Sequence, residues 1–460
     1  MKNLIYYSFA LAVFCSFCQI SRAQGGNFIP ATEDLSLLTG LSTKYQRIHQ
    51  EELDKLPSKN KKDFTELYNQ RWDNIKEKFD KKEIYTAAAA QQYLDALVAE
   101  IVKGNPSLRG HAFNCYFSRT WIPNASYVGQ GIILFNMGLF YRLNDESEIA
   151  FVLCHEIGHY LLRHQENSID KYVTTINSGE VQAELRKIKG SEYRKNEQLQ
   201  KLVKGLTFDS RRHSRDHESQ ADSMAVELLR HTAYDLSGAQ RALALLDVID
   251  RDTLDTGRCL PALFNARDYP FQKKWIAKEE GLLGGHAHLK EDKLDDSLKT
   301  HPDCQTRIKL LTPMISGAKG AGNRRFVVDS LRFGSFRNTF RYEAIEYAYE
   351  ADDYSRSLFY AMELLTTRPG DAYLVAQTGK IMNGLYAAQK KHTLSKVADL
   401  PAPYYPSNYN LLLQFIQNLY PENFALIGYH FLNRLHPQLD SYTPFRQAYE
   451  QSSKIAQQER

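Results

Sequence analysis

Apolar residues recur at helical spacing early in the chain. Over Lys59–Lys82, the positions Phe64, Leu67, Tyr68, Trp72, Ile75 and Phe79 fall on one stripe of a charged segment, which predicts an amphipathic helix. A second helix is predicted over Ala87–Val102, with Gly104-Asn105-Pro106 stopping it. The period then changes to two. His111–Phe117 alternates as a strand does, and Tyr127–Phe135 reads as one further strand with an apolar end. From Asp145 the pattern is helical again, with Asp145 and Glu148 as a capping box ahead of the run Ile149–Leu153. This helix is expected to continue to about Ile169. Residues 170–210 are charged, with few large apolar positions, and read as a solvated helical excursion. Helices follow at Ser214–His231 and Gly238–Ile249, and then an irregular stretch over 252–300 that is rich in Gly, His and charge. A loop that long inside a compact domain usually has a function.

Gly317–Asn323 is the clearest linker, and the pattern beyond it is all helical. Ala344–Pro369 has small residues where two antiparallel helices would touch, an Asp-Asp-Tyr turn and a closing proline; Phe424–Pro437 looks like half of a similar pair. These segments read either as tetratricopeptide-like units or as plain helical hairpins. The expected organisation is a helical segment over 24–89, a catalytic domain over 90–316, a linker at 317–324 and a separable helical domain over 325–460. The fold class is α+β, mostly helical, with a small sheet in the catalytic domain.

A hydrophobic content of 43% and a charged content of 24% place the chain among folded globular proteins. Its formal charge of +4 includes Lys2 and Arg22, both in a segment expected to be removed, so there is no warrant for nucleic-acid binding. Residues 1–23 read as a signal peptide: Lys2, an apolar stretch from Leu4 to Cys18, then Ser21-Arg22-Ala23 before a cut that leaves Gln24. The alternative is an uncleaved anchor. No later run reaches the roughly 18 apolar residues a membrane helix needs, so the mature chain is expected in the periplasm or secreted, without a transmembrane segment. Cys115, Cys154, Cys259 and Cys304 are too sparse for a disulfide framework; they read as buried small hydrophobes, with a Cys259–Cys304 bridge left open.

The chemistry lies in Phe151-Val-Leu-Cys-His-Glu-Ile-Gly-His-Tyr160. On a helix, His155 and His159 leave the same face and can grip one ion. Glu156 is turned about 100° away, placed to take a proton from water activated by the metal. Alone, this spacing arises by chance too readily to assign chemistry. Gly158 sharpens it, because glycine inside a helix costs about 1 kcal/mol and asks for a packing or functional reason. Glu218 is the candidate third ligand. It shares a helix face with Asp222, and two like charges at that spacing repel unless a cation lies near them. Zinc on Glu218, with Asp222 holding an imidazole N–H, resolves the conflict; a solvated acidic face is the alternative.

These residues resemble metallopeptidase family 48, the gluzincins that include HtpX-type and CAAX prenyl endopeptidases. The match is carried by His155-Glu156-Ile157-Gly158-His159, Glu218-Ser219-Gln220-Ala221-Asp222, His301-Pro302 and Arg307, with Asn124-Ala125 and Gly131-Ile132 similar to the family's substrate-side strand. The resemblance implies one zinc, endopeptidase activity, His155, His159 and Glu218 as ligands, Glu156 as general base, and Asp222 orienting His155. It gives His301 a place at the site, either bonding the developing oxyanion or blocking the metal, with Arg307 anchoring that loop. Cys154, His164 and His217 fall off the metal face, His286 and His288 sit in the 252–300 loop, and all five stay outside the ligand set. The prenyl endopeptidases' long membrane helices are absent, so the layout is that of a soluble periplasmic type. Extended substrate is expected to pair with an edge strand near Tyr127–Phe135. Unfolded or misassembled envelope proteins are the expected substrates, with the helical tail choosing clients or docking on a complex. The competing readings are a chaperone or assembly adaptor acting through that tail and a zinc hydrolase of a non-peptide bond.

Overall fold

The computed structural model describes residues 27–190, 215–251, 254–277, 304–318 and 320–459. The expected leader, His286, His288 and His301-Pro302 lie outside them. Helices α1 (Leu35–Asp54) and α2 (Lys61–Asp80) form an N-terminal pair, and α3 (Ala88–Gly104) leads into the sheet. In α2 the predicted stripe is the buried one: Phe64, Tyr68, Trp72, Ile75 and Phe79 turn inward, since residues three and four apart share a helix face.

The strand expected over Tyr127–Phe135 is instead a hairpin of β2 (Ala125–Gly129) and β3 (Ile132–Asn136). The chain turns through Gln130 and Gly131, both left-handed at φ 54° and 73°. Two successive residues of that hand make the tight turn whose twist matches antiparallel strands. Gly131 is required there twice over, because a Cβ would also run into the Ala112 carbonyl. β1 is Asn114–Ser118, starting later than the expected His111. The order is β1-β3-β2, with β1 parallel and β2 antiparallel to the central β3. The edge strand beside the histidine helix is therefore Ala125–Gly129 alone.

After the short α4 (Met137–Phe140), α5 (Glu146–Leu161) carries the histidines. Asp145 caps it by accepting from the Glu148 N–H at 3.1 Å, while Glu148 reaches back to the Asn144 N–H at 2.8 Å. The helix stops well before Ile169. Arg163 adopts a left-handed conformation (φ 53°), and the chain restarts in α6 (His164–Ile176) and α7 (Gly179–Gly190). The excursion is not wholly solvated, because Val173 is buried against Phe64 and Tyr68 of α2. Helix α8 (residues 215–230) and α9 (Gly238–Leu246) complete the layer around the histidine helix. One apolar core joins β1–β3, α3, α5, α8 and α9. Gly158 sits where α5 crosses α8. A Cβ there would press on the Ala221 carbonyl oxygen at 3.2 Å and on Met224 at 3.3 Å.

The longer helices that remain among the described residues are α10 (Thr256–Phe264), α11 (Cys304–Ser316), α12 (Ser330–Glu350), α13 (Tyr354–Thr367), α14 (Ala372–Lys390), α15 (Ser407–Asn418), α16 (Pro421–Asn433) and α17 (Thr443–Gln458). Helices α12 and α13 form a hairpin across Ala351–Asp353, with Asp353 capping α13. Their cores redraw the expected boundaries. Within 252–300, α10 and Trp275 are not irregular loop; they pack into the core of the C-terminal helices. Phe333, Phe340 and Ala344 of α12 belong to the core around the histidine helix, so residues 317–324 are no free tether. Glu146, in the first turn of α5, accepts from the backbone N–H groups of Val327, Val328 and Asp329 at 2.7–2.8 Å and from the Tyr93 hydroxyl at 2.8 Å. Cys259 and Cys304 are buried in different cores and are not bridged. Among the described residues, no helix is long and apolar enough to cross a membrane.

Candidate active site

The HExxH spacing works because α5 is regular through residue 161. His155 and His159 leave one face with their Nε2 atoms 3.0 Å apart. Helix α8 brings Glu218 opposite them: its carboxylate oxygens lie 3.5 Å from His155 Nε2 and 3.4 Å from His159 Nε2. These three donors form the candidate metal cluster found among the described residues. The chemistry of the set fits a divalent cation. A tetrahedral ion with ligand bonds of about 2.0–2.1 Å holds its donors roughly 3.3 Å apart, close to all three spacings. His155 Nδ1 faces the Asp222 carboxylate at 2.9 Å, and a proton kept on Nδ1 by that negative charge leaves the Nε2 lone pair turned to the cluster.

Electrostatics point the same way. Burial works against charge on His155, but hydrogen bonds with Asp222 and Glu218 outweigh it and push the imidazole up to about 10. Burial likewise opposes charge on Glu218, yet the His155 and His159 rings and the Arg307 guanidinium hold its carboxyl well below the usual range. The site thus demands positive charge where the three donors converge, a demand a metal ion meets in place of a proton.

The His301 segment that Arg307 is expected to anchor lies outside the described residues. Arg307 forks onto Asp222, with Nε–Oδ2 and Nη2–Oδ1 both 2.7 Å, and its Nη1 lies 3.2 Å from Glu218. It thereby ties Glu218 and Asp222 to α11. The paired bonds fix both planes, which a single contact would not.

Glu156 lies beside the cluster, buried, with Oε2 accepting from the Tyr127 N–H of β2 at 2.7 Å. Burial raises its carboxyl, opposed by the nearby His155 and His159 and by the Tyr127 bond. A raised carboxyl is better matched to moving protons near neutral pH. The cleft around it encloses about 330 Å³ and is lined by Asn124, Ala125, Glu156, Glu218 and Arg307, among others. Gly131 and Ile132 are elsewhere, the first in the hairpin turn and the second on the central strand, packed with Trp72 and Ile75.

Two contacts were concealed in the sequence. His164 Nδ1 lies 2.9 Å from His159 Nδ1, its Nε2 lies 3.1 Å from Gln220 Oε1, and its ring stacks on His217 at 4.1 Å. Neither His164 nor His217 joins the donor cluster. Gln165 donates to the Tyr127 carbonyl at 3.2 Å, so both main-chain groups of Tyr127 that face away from β3 are engaged. A second cavity of about 420 Å³ opens beyond His159, walled by Gln70, Arg71 and Asn74 of α2. No curated protein matches the chain. Residues 88–315 match the model of peptidase family M48, from the start of α3 to the end of α11, leaving α2 and the later helices outside.

Proposed function

Residues 88–315 make this chain a member of peptidase family M48, and from that membership we propose that it hydrolyses peptide bonds as a single-zinc endopeptidase. The observation that carries the reading is the convergence of His155, His159 and Glu218 with buried Glu156 beside them, in a cleft open along an edge strand. Zinc held by those three side chains would polarise the scissile carbonyl and acidify the attacking water. Glu156 takes the proton from that water and hands it to the departing amide nitrogen as the C–N bond breaks. The Tyr127 N–H fixes the plane of the Glu156 carboxylate, while Asp222 and Arg307 hold His155 and Glu218 in register. Side chains alternate along β2, so Ala125 presents its main chain on the same edge as Tyr127. Substrate backbone pairs there, which supports a preference for extended, unfolded protein.

The test is Glu156→Gln. It should keep one zinc per chain by metal analysis and lose about a thousandfold or more in hydrolysis of an unstructured protein, since proton transfer and water positioning both go. Zinc loss from a folded variant would instead make Glu156 a ligand.

Export and envelope quality control extend this reading. The signal-like residues 1–23 support export, and intact mass of the exported protein should begin at Gln24. The α12–α13 hairpin and the helices after it would serve as a tetratricopeptide-like surface for clients or a partner complex.

A further inference from the structure

The outer edge of β2 is open at one end and occupied at the other. In an antiparallel pair, the main-chain groups of alternate residues face the neighbouring strand and those between face away. Asn124 accepts from the Asn136 N–H at 3.1 Å and so faces β3, which leaves Ala125 and Tyr127 with their N–H and C=O groups turned outwards. Ala125 borders the cleft of the metal donors. Both groups of Tyr127 are spent, the N–H on Glu156 at 2.7 Å and the C=O on Gln165 Nε2 at 3.2 Å. A carbonyl only accepts, so the Gln165 amide N–H stands where an added strand would bring its own. Beyond it, a Cβ on Gly129 would come within 2.8 Å of both Arg71 Cδ and Gln165 Oε1. Those side chains lie closer to the end of β2 than the roughly 4.8 Å at which a further strand would run. The cover is braced. Buried Arg71 pairs with Glu52 of α1 at 2.6 Å and lies 3.6 Å from Glu166, which accepts from the Tyr127 hydroxyl at 2.9 Å. Glu52 and Arg71 come from helices outside the residues matched to the family.

We infer that Gln165 ends the edge strand for substrate: backbone pairing is available at Ala125 and closed at Tyr127, and the residues before the scissile bond leave β2 for the cavity between α2 and α6. This rests on the hydrolytic reading above. Antiparallel pairing is the more stable way to add a strand to an edge, and a substrate antiparallel to β2 has its amino end towards Gly129. The residues before the bond therefore arrive where the Tyr127 carbonyl is already taken and gain no ladder bond from it. The space open to them is the 420 Å³ cavity beyond His159, walled there by Gln70, Asn74 and Ser168. Gln165 is thus a specificity-determining residue. A substrate with no backbone N–H to offer Tyr127, such as one with proline at that position, loses nothing by it.

A short unstructured peptide is remade with a backbone ester at each residue in turn, which removes one N–H at a time, and is offered to full-length zinc-loaded protein. The cut site is read by mass spectrometry. Loss of one ladder bond should lower kcat/KM by about three- to tenfold. On the wild-type protein no more than one ester before the cut should do so, the one opposite Ala125. Gln165→Ala frees the Tyr127 carbonyl and should make a second position sensitive, two residues further towards the amino end. Gln165→Asn, one methylene too short to reach, should do the same. Each ester is compared with its parent peptide on the same protein, so a general loss of stability cancels. In parallel, fluorescent forms of the series are titrated onto Glu156→Gln protein with and without Gln165→Ala, where the same new position should appear in Kd. Two sensitive positions spaced by two on the wild-type protein, or no new one in either variant, overturns the inference and leaves hydrolysis standing. No cleavage of any peptide by zinc-loaded protein overturns hydrolysis instead, and the Kd series still decides the inference: a new sensitive position supports it, and an unchanged pattern overturns it.

Discussion

Each ring nitrogen of His159 has a defined task. If Nε2 is to offer a lone pair to a cation, Nδ1 must carry the proton and needs an acceptor. The His164 Nδ1 at 2.9 Å is that acceptor, provided His164 is neutral. It is, because burial pulls its imidazole down to about 4, and its own N–H on Nε2 can then donate to Gln220. His164→Ala should therefore weaken zinc binding by about tenfold or more without unfolding the chain, as losses behind a metal ligand commonly do. Chelator competition with circular dichroism as a fold control would check this; unchanged affinity would reduce His164 to packing. The convergence of the three donors was legible, because two histidines four apart and an otherwise repelling Glu218–Asp222 pair each ask for a cation. His164 was not, since a position five residues past His159 points away only if the helix continues. The left-handed Arg163 breaks it and swings His164 back.

Between elements, the approach of α5 to α8 sets where Glu218 meets the two histidines. Gly158 lets α5 lie against Ala221, three residues after Glu218 on the same helix, so a side chain at 158 displaces Glu218 with its backbone. Gly158→Val should cost about 1–3 kcal/mol by overpacking and weaken zinc binding together with it. Paired thermal melts and metal titrations would check both; lost stability with unchanged zinc affinity would mean that α8 yields without moving Glu218. That glycine could be read from sequence as a packing requirement, though its partner could not. The sheet was only half legible. Gly129-Gln130-Gly131 holds the turn signal, but Tyr127-Val128 before it and Ile132–Phe135 after it are both apolar, so the pattern alone does not divide them. Only the pairing of β3 between two neighbours shows that they are a central strand plus an edge.

At the scale of the whole molecule, periodicity identified the later helices but misplaced the boundary, because apolar spacing says which residues are buried and not which core receives them. The Gly317–Asn323 composition looks like a tether, yet α12 completes the catalytic core, and α10 crosses into the other one. A chain ending at residue 324 should therefore lose zinc and its cooperative melt, since Phe333 and Phe340 and the backbone bonds to Glu146 go with the tail. Arg119 is the polar counterpart of this joint. It is buried among Glu33 from the N-terminal segment and Glu343 and Glu350 from α12. Three carboxylates around one guanidinium leave negative charge in excess, and burial pushes the Glu343 carboxyl up to about 7, against the Ala31 N–H bond and the Arg119 charge. A carboxyl raised on folding binds more protons in the folded chain. Its stabilising contribution is thus full below its ordinary value of about 4.5 and is lost as pH rises through about 7. Glu343→Gln keeps an acceptor for Ala31 and removes that titration. Between pH 5 and pH 7.5 the wild-type melting temperature should fall relative to that of the variant, by the equivalent of about 1–3 kcal/mol. The comparison cancels every group the two proteins share. Parallel curves across that range would mean that Glu343 stays ionised, with Arg119 compensating its charge in full.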